Sequence, residues 1–456
     1  MPSRKLFVSL LALAFPASLL TADPQPRAAD KRPNIVFIVA DDLGYADLGF
    51  QGGKDIPTPH IDSLAQSGTR FRCGYVSGPY CSPTRAGLLT GRYQQRFGHE
   101  FNPGGEGRSG SLGLPVTETT IADRLKSHGY ATGLVGKWHL GSAPQFHPLK
   151  RGFQEYFGFL GGQHTYFDLE KADVYRNNEI LHEPGYLTDA FGREAVSFIE
   201  KHKQEPFFLY LAFNAVHTPM EAPEDRIAAF HAIGDKARRT YAAMLSSMDQ
   251  AIGKVLKTIE SSGLDENTLI VFLSDNGGPT MKGTTINASN NAPLRGSKRT
   301  TLEGGIRVPF VIRWKGQVPA GKVQDNPVIQ LDLQPTALAA AGIEVRPEWK
   351  LDGVNLLPYL TGQAEGTPHE TLYWRLGDQN AVRHGDWKLV RYDLNADGIS
   401  GKGVSEPRLY NLSRDVGESE NLASANPEKV QELTTLWKAW EAQLATPLWG
   451  PKSTAR

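Results

Sequence analysis

The chain has 456 residues, more than one typical domain holds, so a large domain with a smaller companion is expected. Hydrophobic residues at 40% and charged residues at 21% are ordinary for a folded chain and exclude a disordered one. The 49 basic residues are matched by 49 acidic ones, so no whole-chain charge argues for nucleic acid, and two cysteines are too few for a disulfide-stapled scaffold.

Arg4 and Lys5 precede an apolar run at 6–20, interrupted by Pro16 and closed by Thr21-Ala22 before Asp23. This predicts a cleaved secretory signal over residues 1–22, with a buried N-terminal helix as the alternative. The run is short for a membrane span, so no integral membrane segment is expected. Export with so few cysteines suits a secreted or periplasmic bacterial protein. The polar, Pro-containing stretch 23–33 then reads as a tether.

Residues 34–40 (NIVFIVA) form a continuous apolar, β-branched run ending in Asp41-Asp42, the pattern of a strand buried on both faces. Cys73 and Cys81 follow, and a disulfide between them is the plain structural reading. Within CSPTRAGLLTGR, Ser82 is a good N-cap and Pro83 a good first helical residue, which places Cys81 at the positive end of a helix that would welcome an anion. A cysteine-dependent phosphatase loop is excluded, because it needs arginine six positions after the cysteine and Gly87 stands there.

The polar, Gly-rich stretch 93–114 offers Arg96, His99 and Glu100 as residues of a pocket mouth. A helical pattern at 120–128 leads to a short buried strand at 131–135, followed by Lys137 and His139. Residues 161–167 (GGQHTYF) supply His164 as a further wall candidate. A helix at 190–202 precedes a third buried strand at 206–213, with Asn214 and His217 behind it. A helix at 238–261 precedes the fourth, at 269–273, which ends in Ser274-Asp275-Asn276. A basic loop carries Arg295, Lys298 and Arg299, and a helix is expected at 335–341. Alternating strands and helices predict an α/β sheet whose crevice lies beyond the carboxyl ends of the strands, and four such ends carry polar groups here. After about residue 365 the texture changes to short β pieces at 371–376, 380–382 and 387–392 and a helix at 427–444. This predicts a small antiparallel sheet with a covering helix, dividing the mature chain into 23–365 and 366–456.

Asp41, Asp42, Asp275 and Asn276 are hard oxygen ligands suited to calcium or magnesium and ill suited to zinc. Taken singly, an Asp-Asp pair is also an ordinary solvated turn, Lys137 a surface residue and His217 a turn histidine. The full string 81–92 resembles the signature of the type I sulfatases. Its neighbours extend the likeness: Gly136-Lys137-Trp138-His139, Ser274-Asp275-Asn276-Gly277-Gly278, Gly296-Ser297-Lys298 and Leu409-Tyr410-Asn411-Leu412, with Val416-Gly417 departing from the usual closing motif.

The resemblance implies an alkaline-phosphatase-like fold, a large mixed sheet sandwiched by helices. It implies oxidation of Cys81 to formylglycine by a formylglycine-generating or anaerobic maturing enzyme. It assigns Asp41, Asp42, Asp275, Asn276 and Cys81 to a divalent cation, usually calcium. Catalytic roles fall to Cys81, Arg85, Lys137, His139, His217 and Lys298: the hydrated aldehyde attacks sulfur, His217 or Lys298 protonates the leaving alcohol, and His139 helps expel sulfate. The expected substrate is a sulfated carbohydrate, with Arg96, His99, His164 and Arg295 as candidate contacts. Aryl or choline sulfates, phosphonates or phosphodiesters are alternative substrates, and a carbohydrate-binding protein with an unmatured site is a rival of another class.

Overall fold

The computed structural model describes residues 1–3, 32–104, 111–167, 173–401 and 403–451. Most of the expected signal and tether therefore lies outside the described residues. Among those described, no helix is long and apolar enough to cross a membrane.

The four expected strands form the centre of a ten-stranded sheet: β1 (Asn34–Ala40), β2 (Ala131–Lys137), β3 (Phe207–Ala212) and β4 (Thr268–Ser274). They run parallel in the order β4-β1-β3-β2. Every residue of the four is buried, because layers cover both faces: Val36 and Ile38 enter one core, Ile35 and Phe37 the other. Burial of each such side chain contributes about 1.5–3 kcal/mol, which fixes the register. Ala40 lies opposite Ser274, Val39 opposite Ala212 and Gly136 opposite Ala212, so the four carboxyl ends finish level with one another. This alignment brings residues far apart in sequence into one crevice.

On one edge Phe310–Arg313 joins β4 antiparallel, while Glu155–Phe159 joins β2 in parallel on the other. The sheet is thus mixed, as expected. One face is covered by helices α1 (Cys81–Thr90), α2 (Ile121–Ser127) and α5 (Leu333–Ala340), the other by α3 (Leu187–His202) and α4 (Lys236–Ser261). In α2 the Thr120 hydroxyl accepts from the Asp123 amide at 3.1 Å and the Asp123 carboxylate accepts from the Thr120 amide at 3.0 Å. Such a reciprocal cap is worth about 1 kcal/mol.

The C-terminal segment builds a separate antiparallel sheet from Thr371–Leu376, Gln379–His384, Trp387–Arg391 and Arg408–Asn411, covered by α6 (Pro427–Glu441). Its fourth strand is the Leu409-Tyr410-Asn411 motif, too short to announce itself by alternation. Trp374 joins this sheet to the main core, its indole donating to the Val76 carbonyl at 2.7 Å. Below it, buried Lys388 lies 2.9 Å from both Glu303 and Glu418. The disulfide reading is corrected: Cys73 and Cys81 are both free and buried.

Candidate active site

Cys81 is the first residue of α1 and is 1% exposed, with its Sγ 3.6 Å from Asp41 Oδ1. The helix starts at Cys81, two residues before the expected first helical residue Pro83, and Ser82 does not cap it. Instead Asn102 Oδ1 accepts from the Ser82 amide at 3.0 Å, and the Ser82 hydroxyl donates to the His139 carbonyl at 2.6 Å. That hydroxyl must then accept from His99 Nε2, 2.7 Å away, which fixes the His99 tautomer. Burial pushes the Cys81 thiol up to about 12 despite Lys137 and Lys298, so it is protonated near neutrality.

Three acids and three fixed cations meet beside it. Lys137 Nζ donates to Asp41 Oδ2 at 2.6 Å, and Lys298 Nζ to Asp42 Oδ2 at 2.8 Å. Arg85 donates from Nε and Nη2 to Asp275 Oδ2 at 3.0 and 2.8 Å, and from Nη1 to the Lys137 carbonyl. All six groups are buried. Burial would raise Asp41, but Lys137, with Arg85 and Lys298, holds it well below the carboxylate range. Burial and its neighbour Asp41 raise Asp275 even with Arg85 against it. Asp42 holds a left-handed backbone (φ 62°), and its amide donates to Asp275 Oδ1 at 3.3 Å. His139 shares that conformation (φ 58°), with Gly162 so close that a Cβ there would lie 2.4 Å from its Nε2. Burial, with Lys137 beside it, keeps the His139 ring neutral. Burial keeps His217 neutral too, although Asp41 and Asp42 oppose this. Its Nδ1 sits 2.6 Å from the Thr218 carbonyl and so carries the proton, leaving Nε2 to face Asp42 at 3.6 Å.

A divalent cation fits this donor set. One ligand atom each from Asp41, Asp42, Cys81 and His217 lies within 4.8 Å of the others, so His217 stands beside the expected ligands. Asn276 donates through Nδ2 to Asp42 at 2.8 Å, but its buried Oδ1 accepts no hydrogen bond. A buried acceptor beside two carboxylates is a costly orphan unless a cation takes it.

The structure therefore gathers all ten expected catalytic and metal-ligating residues. Cys81, His139, His217 and Lys298 line a cavity of roughly 520 Å³, in the usual range for small-ligand sites. The four expected substrate contacts do not line it. Arg96 grips Asp352 with Nε 2.9 Å from both carboxylate oxygens. His99 is buried behind Ser82, and Arg295 ties Asp397, Tyr392 and the Glu418 carbonyl together. His164 is buried against Phe159, with ring centroids 4.9 Å apart. The wall is built instead by Tyr80, Asn102, Gln163, Thr285 and Arg299. Thr285, absent from the sequence reading, donates to Asp42 Oδ2 at 3.1 Å. Its only sequence signal is its place between two site motifs.

Fixed cations around a metal-ready acid cluster suit the transfer of a tetrahedral anionic group, and the sheet is that of the alkaline-phosphatase-like hydrolases. Comparisons narrow this class. Residues 33–343 match the family model described as Sulfatase, and 296–444 match N-sulphoglucosamine sulphohydrolase, C-terminal. N-acetylgalactosamine-6-sulfatase of Mus musculus is 33% identical over 454 residues, covering 90% of this chain and 84% of that protein. Arylsulfatase A of Homo sapiens is 34% identical, covering 97% and 94%. The crystal structure of Ps i-CgsB in complex with k-i-k-neocarrahexaose is 38% identical with a TM-score of 0.84, covering 93% and 95%. The phosphonate monoester hydrolase of Agrobacterium radiobacter, 20% identical with a TM-score of 0.63 over 90% and 96%, shares the fold alone. The chain belongs to the sulfatase family and is a sulfuric ester hydrolase.

Proposed function

We propose that this sulfatase removes sulfate from a carbohydrate after Cys81 has been oxidised to formylglycine by a maturing enzyme, and that the protein is exported. We also assign 23–365 to catalysis and 366–456 to a supporting subdomain. The observation that carries the reading is a thiol held protonated at the floor of an open, cation-rich cavity. As a thiol it is a poor nucleophile, yet the buried cations Arg85, Lys137 and Lys298 beside it are suited to hold negative oxygen. A carbohydrate ester is favoured because a relative is a sulfatase of N-acetylgalactosamine and a structural neighbour holds a neocarrahexaose.

Asp41, Asp42, Asp275 and Asn276 would hold the cation, calcium by family resemblance, which supplies Lewis-acid polarisation of sulfate oxygens. Formylglycine supplies a hydrated aldehyde, whose two hydroxyls allow attack on sulfur and then release of sulfate. Arg85 and Lys137, buried against Asp275 and Asp41, would neutralise oxyanion charge. His139, neutral and with its buried Nδ1 unbonded, is the proton acceptor for the release step. Lys298 is held charged and has a proton to give the leaving oxygen. His217 has its Nδ1 proton committed to Thr218, so it serves to place Nε2 against Asp42 and the cavity.

The test is sulfate release by matured protein from sulfated mono- and oligosaccharides, set beside p-nitrophenyl sulfate and an aryl phosphodiester. Glycan sulfates should be the better substrates by kcat/KM. Faster cleavage of the phosphodiester would move the assignment to the phosphorus-ester branch of the fold.

A further inference from the structure

Lys298 reaches the cavity on a flexible four-carbon stem, so its ammonium must be aimed by its neighbours. Three surround it. Both Asp42 carboxylate oxygens lie 2.8 Å from Nζ, Thr285 Oγ1 accepts from it at 3.3 Å, and the Tyr80 ring centre is 5.7 Å away. The Thr285 hydroxyl gives its own proton to Asp42 Oδ2 at 3.1 Å. A hydroxyl has one proton and two lone pairs, so both contacts are made at once and Lys298, Asp42 and Thr285 close a triangle.

The segment that carries Thr285 is pinned on both sides. Thr284 donates its hydroxyl to the Met281 carbonyl at 2.6 Å, a bond within the turn. Two residues beyond Thr285, buried Asn287 donates to the main-chain carbonyls of Asp42 at 3.1 Å and Val216 at 2.8 Å. Between these anchors the half-buried Thr285 sends its hydroxyl to charged partners 13 and 243 residues away.

Resting on the assignment of Lys298 as proton donor above, we infer that Thr285 is a positioning residue, which keeps the Lys298 ammonium from folding wholly onto Asp42 and aims one N–H at the leaving oxygen. Both side chains line the cavity. The two bonds that hold the ammonium are unequal. The contact with Asp42 is short and charge-assisted, whereas the one to Thr285 is longer than the usual N–H···O range, so it is the one that an arriving ester oxygen displaces. As the S–O bond breaks, its electron pair goes to the alcohol oxygen, which takes the proton from Nζ. Solvent then reprotonates the neutral amine. This help matters in proportion to the basicity of the leaving oxygen: a sugar alkoxide needs the proton, and p-nitrophenolate hardly does.

The test uses matured full-length protein and a series of aryl sulfates of rising leaving-group basicity, from p-nitrophenyl to p-methoxyphenyl, read as kcat/KM. Thr285→Val keeps the shape of the side chain and removes its hydroxyl. It should lower the rate for the most basic leaving group by about tenfold, the worth of one hydrogen bond to a charged group, and for p-nitrophenyl sulfate by about twofold. Thr285→Ser should restore the wild-type slope, and Thr285→Ala should repeat the valine result even if valine itself prevents folding. Lys298→Met should steepen the slope further, and adding Thr285→Val to it should change nothing, since the threonine acts through the lysine. Calorimetric titration should find calcium binding to Thr285→Val within about threefold of wild type, because Asn276 and Lys298 still hold Asp42. An equal loss across the series, additivity with Lys298→Met, or calcium affinity weakened by about 10–100-fold overturns the inference and leaves Lys298 as the donor. If Lys298→Met itself leaves the slope unchanged, the proton-donor reading falls and the positioning role falls with it.

Discussion

Replacing Lys137 by methionine keeps the length of the side chain and removes its charge. In the folded protein Lys137 Nζ is 2.6 Å from Asp41 Oδ2, and both side chains are fully buried. Removing one member of such a pair strands the other charge and costs about 3–5 kcal/mol. Unfolding entropy near 2.1 cal/mol/K per residue gives about 1 kcal/mol/K for a chain of this size, so the melting midpoint should fall by about 3–5 °C. Asp41 is held well below its ordinary carboxylate range, so the stability it contributes is present above that range and is lost as pH falls through the depressed value. Lys137→Met should therefore cost most near pH 7 and progressively less in acid. Calcium should shrink the penalty, because a bound cation replaces the missing charge beside Asp41. Calorimetry in chelator and in calcium, at pH 7 and pH 4, reads all of this. A variant that melts with the wild type in chelator, or a deficit that calcium leaves untouched, would refute the electrostatic account of the site.

Other outcomes follow from the same geometry. His139→Ala should lower kcat by about 10²–10⁴ while KM changes little, and a sulfated form of the enzyme should accumulate in quench experiments because its release is slowed. Glu418 is buried and its carboxyl is pushed up to about 7, against the pull of Lys388. Stability from this group is full below the ordinary value of 4.5 and is lost as pH rises towards 7, so Glu418→Gln should flatten that part of the stability profile, measured by urea titration. Lys388→Met strands Glu303 and Glu418 together and should destabilise the protein by about 3–5 kcal/mol, measured by urea unfolding. Thr120→Ala removes the cap of α2 and should cost about 1 kcal/mol with no change in turnover.

Much of the centre was legible in the sequence because its physics is local. Continuous apolar runs such as 34–40 and 269–273 can only be strands covered on both faces, and each delivers acids where it stops. That the ends finish level is a matter of register, which the runs do not encode separately. Outer strands such as Thr69–Phe71 and Phe310–Arg313, each paired on both sides, were missed, being short and stabilised by partners distant in sequence. Strand β2 runs two residues past the expected end, so Lys137 is the last residue of the strand, not part of the loop beyond it. Arg96, His99, His164 and Arg295 do not line the cavity around Cys81, because polar residues in Gly-rich or basic loops look available until their partners are known. The partners of Arg96 and Arg295, Asp352 and Asp397, come from segments far along the chain. Asn102 and Tyr80 were overlooked because an amide and a phenol announce no chemistry alone.

The central claim concerns the chemical state of Cys81, and the tryptic peptide from Cys73 to Arg85 reports it directly. Protein produced with graded amounts of a maturing enzyme should show graded exchange of the Cys81 sulfur for an aldehyde oxygen by mass spectrometry. Sulfatase activity should rise in proportion to that converted fraction and extrapolate to zero for the thiol. Full activity in protein whose Cys81 is entirely thiol, or in Cys81→Ala, would contradict the account.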